Sequence, residues 1–412
     1  MGRFFDPSDP GFIADPYPTL NALREEGPIH YDPDFDLWFV TRYQDVRNVQ
    51  LDRRLGRVKQ GHALPHDLRP IQELKLEGWE PYYQIERHSL LMLEPPEHTR
   101  IRILINRAFT PRRVKELREP ITMIAENLLE SLQERSVFDL LADYAQPYSV
   151  RVIATLLGAP TEDADLLLDW SHAIVKMYEL HCTEEQARTA IEASRDFAAW
   201  TAELIASRRS DPKDDLITAL CEAETPDGTL TDDEIISTVI LLLNAGHEAT
   251  VNTLGNGTVA AMNHGQAWQQ LVEREVAPAI AIEEMMRFDS PLQIFDRYVL
   301  EDGVEVAGTA LAKGENVAVL FGAANRDPRR FDQPDRFLVD RGDPDHITFG
   351  AGVHHCIGAS LARLELEIAL DRLIEAFPQA RLAEPPVRED GFAIRGYRSV
   401  NLTTVGYFSP LR

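Results

Sequence analysis

The stretch Phe349-Gly350-Ala351-Gly352-Val353-His354-His355-Cys356-Ile357-Gly358 decides the fold. It reads as a glycine-punctuated loop ending in a cysteine directly ahead of a helix. From Ile357 onward, Leu361, Leu364, Ile368, Leu370, Leu373, Ile374 and Phe377 mostly follow helical spacing. Cys356 is therefore expected at a helix N-terminus, where free N–H groups and the positive dipole end favour an anion. Such surroundings lower a thiol pKa and yield the thiolate that ligates metal. Gly350, Gly352 and Gly358 clear side chains from around the sulphur, so that something broad and flat can approach the backbone. Thiolate, dipole and glycine platform together suggest an axial ligand beneath a haem. The plainer alternative is a buried structural cysteine after a turn.

The decapeptide resembles the haem-ligand signature of the cytochrome P450 family, Phe-x-x-Gly-x-His-x-Cys-x-Gly. Phe349, Gly352, His354, Cys356 and Gly358 fill its fixed positions. The resemblance implies haem b with its iron on Cys356, and a mainly α fold with small β-sheets (α+β). The haem would lie between a long central distal helix and a proximal helix following the cysteine loop. Phe349, Gly350, His354 and Gly358 would then contact the cofactor. The likeness runs along nearly the whole chain and implies one haem domain over residues 1–412. A smaller β-rich portion would come from the N-terminal and later strands. No Gly-x-Gly-x-x-Gly stretch is present, so an attached flavin or nicotinamide reductase is not expected.

Composition is compatible with this. Acidic residues number 67 against 42 Lys plus Arg, a formal net charge of −25. That balance argues against nucleic acid or an anionic membrane as the main partner. The three cysteines Cys182, Cys221 and Cys356 are widely spaced and suggest no disulfide framework, which makes the cytoplasm the expected compartment. The N-terminus carries no apolar run of signal or anchor length.

Further stretches follow in the family's order. Pro18 and Gly27-Pro28 frame a first helix, Leu37 to Val40 reads as a strand, and Asp45 to Leu51 as a short helix. Arg57 to Leu93 has no period and resembles the loop that closes over the distal pocket, with Trp79, Tyr82 and Tyr83 either lining an entrance or packing it down. Pro95 to Arg102 opens a helix on which His98 and Arg102 share one face. They match the family's pair of propionate ligands, although a solvated basic face would look the same. Arg112 to Arg209 reads as successive amphipathic helices. Leu166 to Leu180 would form the lid, with Met177 and Tyr178 as possible substrate contacts.

Thr231-Asp-Asp-Glu234 is a capping box ahead of an apolar run that predicts a helix from Asp232 to about Asn263. Within it, Ala245-Gly246-His247-Glu248-Ala249-Thr250 resembles the distal-helix motif, where the family's helix bulges over the haem to admit dioxygen. A mid-helix glycine costs about 1 kcal/mol against alanine, so Gly246 calls for a reason. The chain departs from the motif at its catalytic threonine, because Ala249 stands there. Thr250 follows, about 100° further round the helix. Glu248 becomes the expected proton relay, directly or through water.

Glu284 and Arg287 supply the family's Glu-x-x-Arg, and Arg336 resembles the arginine that completes this structural cluster. Arg297 matches a further propionate ligand, Gln293, Ile294 and Phe295 would face substrate, and Phe392 to Ser399 fits a terminal hairpin with its tip at the pocket.

The implied activity is insertion of one oxygen atom from dioxygen into a mostly apolar small molecule. Electrons would come from a ferredoxin and ferredoxin reductase. Arg107, Arg112, Arg113 and Arg363 mark the expected ferredoxin face. The missing threonine keeps open a peroxide-driven or oxidative-coupling enzyme, and a haem-thiolate gas sensor is the third reading.

Overall fold

The computed structural model describes residues 4–57, 78–179 and 182–404, so most of the expected pocket loop lies outside the described residues. The architecture is built around one helix, Asp232–Asn263. Its start follows from the capping box: Thr231 Oγ1 accepts from Glu234 N at 3.3 Å, and Glu234 Oε2 accepts from Thr231 N at 2.9 Å. Reciprocal capping satisfies two of the end's orphan donors, and losing the Thr231 hydroxyl would cost about 1 kcal/mol. From Thr250 to Ala261 the helix is buried on every side, its polar Asn252, Thr253, Asn256 and Thr258 included. It packs against helices Gln146–Leu157, Pro278–Phe288 and Ala359–Ala376, whose inward leucines, isoleucines and methionines share one large core.

The β material sits to one side. A five-stranded sheet runs in the order Ile29–Asp32, Leu37–Val40, Asn316–Leu320, Ile294–Val299, Leu55–Gly56. The Asn316–Leu320 strand is buried throughout, in keeping with a central position between a parallel and an antiparallel neighbour. The sheet carries Arg297 into the interior. The terminal hairpin pairs Val387–Arg388 with Tyr397–Ser399. Between its strands, Phe392 packs on Phe5 and Phe12. Among the described residues, no helix is long and apolar enough to cross a membrane.

Several expectations change. The region Arg112 to Arg209 is not helical throughout, since Val137–Asp139 forms a strand with Asn401–Thr403 and a π-turn follows at Leu140–Ala145. Glu284 and Arg287 pair as expected, at 2.7 and 2.8 Å with no exposure. The arginine completing the cluster is Arg341, however, whose Nε donates to Glu284 Oε2 at 2.9 Å. Arg336 turns outward to Gln333 and lends only its carbonyl, which accepts from Arg287. Gln293 is fully buried and donates to Tyr17 Oη and the Ser290 carbonyl, so it braces the core and does not face substrate. Tyr82 is likewise core, while Trp79 and Tyr83 pack edge to face.

Candidate functional site

The cysteine loop is held open by its glycines. Gly350 and Gly352 both adopt positive φ, 67° and 71°. A side chain on Gly352 would come within 2.3 Å of the Gln50 carbonyl oxygen. The Gln50 side chain itself caps Ala351 N, tying the loop to helix Tyr43–Leu51. Cys356 N donates to Phe349 O at 2.9 Å, and helix Ala359–Ala376 begins three residues on. Phe349 carries the Arg363 guanidinium over its ring at 4.5 Å. The expectation of a depressed thiol pKa does not hold for the protein alone. Burial pushes the Cys356 thiol up, and the Gly358 N–H, Arg102 and Arg363 offset this only in part. A bound iron would supply what the protein alone does not, holding the sulphur as the thiolate.

Beside the loop lies a cluster of histidine and arginine side chains. The His98 and His354 rings are 4.7 Å apart. His354 Nε2 meets Glu94 Oε1 at 3.0 Å, and Glu94 also accepts from Arg57 N at 2.7 Å. Burial works against Glu94's charge, but His354 and the Arg57 N–H outweigh it and hold the carboxyl below its ordinary value. His98 is 1% exposed, and its Nε2 has no hydrogen-bond partner. Burial, with His354 and Arg102 nearby, pulls its pKa down to about 4. Arg297 is 2% exposed, donates to the Asp296 carbonyl, and among the described residues has no carboxylate at ion-pair distance. Burial and the adjacent Arg57 pull it down to about 9. A buried guanidinium and a buried ring nitrogen, both short of partners, are what a dianionic group would satisfy. The residues present fit a haem on this observation. Arg102 differs: its Nη2 donates to the His355 carbonyl at 2.6 Å, which places it at the cysteine loop.

The central helix presents the other wall. Ala245 and Ala249, one turn apart, are exposed in the middle of an otherwise buried helix, with Leu241 and Leu242 partly so. Protein atoms leave this apolar stripe uncovered. The helix is uninterrupted from Asp232 to Asn263, so the bulge implied by resemblance is absent. Gly246 instead permits close packing, since a Cβ there would lie 2.8 Å from Ile153 Cδ1. Thr250 does not join the site. It is buried and donates to Glu365 Oε2 at 3.2 Å, as its position 100° from Ala249 dictates.

Glu248 stands beside the stripe. Burial lifts its carboxyl above the ordinary value, with His172 and Lys176 pulling it back. His172 comes from the lid helix Ala164–Val175, and its Nε2 lies 3.3 Å from Glu248 Oε1. His247 next along is fully buried, and burial drives it down to about 3, which keeps the ring neutral. Of the expected lid contacts, Met177 is core and the Tyr178 hydroxyl donates to Glu86 at 2.8 Å. Glu179 accepts from Phe392 N, Ala393 N and Ile394 N, pinning the end of the lid to the terminal hairpin. Sequence reasoning missed Glu94, Arg57, His172 and Glu365. Only Glu94, one turn before His98, carried any signal, as an acid ahead of a basic helix face.

The expected ferredoxin face is more engaged than its charges imply. Arg363 is held by Glu283 at 2.7 and 3.0 Å, Arg113 by Asp214 and the Asp215 carbonyl, and Arg107 by the Glu224 carbonyl. Arg112 is well exposed, in an i,i+4 pair with Glu116.

A cysteine loop on a proximal helix, a long distal helix and, beside the loop, buried Arg297 and His98 define a haem-thiolate protein. The cytochrome P450 family model matches residues 79–281 and 266–392. The chain is 34% identical over 392 residues to the polyketide biosynthesis cytochrome P450 PksS of Bacillus subtilis (strain 168), spanning 93% of both chains. It is 35% identical over 399 residues to a vitamin D(3) 25-hydroxylase of Pseudonocardia autotrophica, spanning 95% of this chain and 94% of that one. Its fold superposes on P450BioI in complex with acyl carrier protein ligated to hexadec-9Z-enoic acid. The TM-score is 0.88 at 30% identity, over 96% of this chain and 100% of that one. The chain belongs to the cytochrome P450 family. It is a haem-thiolate oxidoreductase of the monooxygenase class, with haem b as its cofactor.

Proposed function

We propose that this enzyme, one haem domain over residues 1–412, oxygenates a mostly apolar small molecule and delivers protons through Glu248. The observation that carries this reading is the uncovered apolar stripe of Leu241, Ala245 and Ala249 with the Glu248 carboxyl on its flank. Cys356 would hold the iron. His98, Arg297 and His354 would bind the propionates, with Arg102 bracing the loop. Phe349, Gly350 and Gly358 would lie under the ring and Ala245 above it. Bound haem supplies reduction and cleavage of dioxygen and transfer of one oxygen atom to the substrate. The chain's own part is to place an apolar molecule against the stripe, exclude water, and hold a proton on a carboxyl whose pKa burial raises. Relatives named for vitamin D(3), for polyketide biosynthesis and for a bound hexadecenoic acid support an apolar substrate.

Electrons would come from a ferredoxin and its reductase. Arg112 is the best available docking charge, and Arg112→Glu should slow electron transfer and flatten its salt dependence. Soret difference spectroscopy against an apolar library, followed by product analysis, tests the substrate class. Response only to polar compounds would overturn it.

Ala249 and the turned-away Thr250 favour a second reading, in which peroxide drives the same site. Product formed with peroxide at a rate matching the ferredoxin system would support it.

A further inference from the structure

Three potential metal ligands converge where the lid helix crosses the central helix. His172 Nε2 lies 3.3 Å from Glu248 Oε1 and 3.4 Å from His247 Nε2, and the three ligand atoms lie within 4.8 Å of one another. Two ligands of a tetrahedral zinc ion, each about 2.0–2.1 Å from it, sit about 3.4 Å apart. Both short separations match such an edge, and the third lies within 4.8 Å. Two imidazoles and a carboxylate with an open fourth position form a zinc donor set, which magnesium and calcium do not favour. Within the protein these groups are poorly served. His172 Nε2 faces two neighbours at once, and fully buried His247 leaves Nδ1 without a partner. The site is reachable, because the His172 side chain is 37% exposed and that of Glu248 16%. Lys176, the nearby cation, is held by Glu389 at 3.0 Å.

We infer that His172, His247 and Glu248 bind a zinc-class divalent cation, and that the bound cation inhibits the enzyme by occupying Glu248. The inhibitory half rests on the proton-carrying role of Glu248, whereas the binding half does not. The ion also joins the lid helix to the central helix, because His172 lies on the first and His247 and Glu248 on the second.

The test titrates zinc into the purified haem-loaded enzyme against a chromophoric zinc indicator, with His172→Gln and His247→Gln alongside. The reduced carbon monoxide band serves as a check on folding in each. One zinc per chain should bind the parent, at least about tenfold more tightly than either variant. Anomalous diffraction at the zinc edge should place it between the three side chains, and zinc should lower product formed per electron pair. Unchanged affinity in both variants, or density elsewhere, would overturn the site. Zinc at the site with unaltered product yield would overturn the inhibition. Glu248→Gln turnover measured without zinc tests the proton role separately.

Discussion

The Thr250 hydroxyl donates to the Glu365 carboxyl at 3.2 Å, joining the central helix to the helix behind the cysteine loop inside the core. The alcohol next along from Ala249 is thereby committed to structure, as is that of Thr253, which donates to the Ala249 carbonyl at 2.7 Å. Thr250→Val should leave product per electron pair unchanged and cost about 1–3 kcal/mol of stability, because it strips a buried carboxyl of its partner. If the substrate's own hydroxyl assists proton delivery, the deoxy substrate should release peroxide in place of product. Uncoupling by Thr250→Val together with full coupling on the deoxy substrate would reverse this assignment.

Burial raises the Glu365 carboxyl from 4.5 to about 8, with Thr250 opposing. Between those two values the folded chain holds a proton that the unfolded chain has lost, so stability falls as pH rises through that window. Glu365→Gln stays neutral at every pH. Its stability relative to the parent should therefore grow by the order of a few kcal/mol from pH 5 to pH 8, as read by denaturant unfolding.

Glu248→Gln keeps shape and removes the titratable proton. Product formation should drop at least about 100-fold while the carbon monoxide band stays intact. A solvent isotope effect that grows in the variant would tie the loss to proton delivery.

Cys356→Ser should abolish the thiolate carbon monoxide band. Arg297→Leu and His98→Leu should keep it but release haem more readily. Each removes a charged or buried donor worth about 1.5–3 kcal/mol, which corresponds to at least about tenfold in haem retention against apomyoglobin.

Arg341→Met should destabilise by about 3–5 kcal/mol, because it leaves Glu284 buried with fewer cations. Arg336→Met should cost under about 1 kcal/mol, since its side chain reaches only exposed Gln333. Equal effects would restore Arg336 to the cluster.

That contrast marks how far sequence could be read. The long helix and its cap were legible because Thr231 and Glu234 are three residues apart and the apolar run declares its own period. The Glu284–Arg287 pair was legible for the same local reason. Which arginine answers Glu284 was not, because Arg336 and Arg341 both follow within one irregular stretch and only the folded loop turns Arg341 inward. Of the candidate site, the positions of Cys356, Glu248 and Ala249 could be read, but their partners could not. His172 meets Glu248, Glu365 meets Thr250, and Gln293 meets Tyr17 across 76 to 276 residues, where no spacing rule applies.

Gln50 caps a loop 301 residues further along the chain. The cysteine platform therefore takes its final shape only when helix Tyr43–Leu51 has docked on the carboxy-terminal half, a contact across a long loop whose closure is costly. A cofactor that needs this platform recognises a nearly finished chain. Haem capture would then report a completed fold, and a chain lacking residues 1–50 should stay colourless however well its remaining helices form.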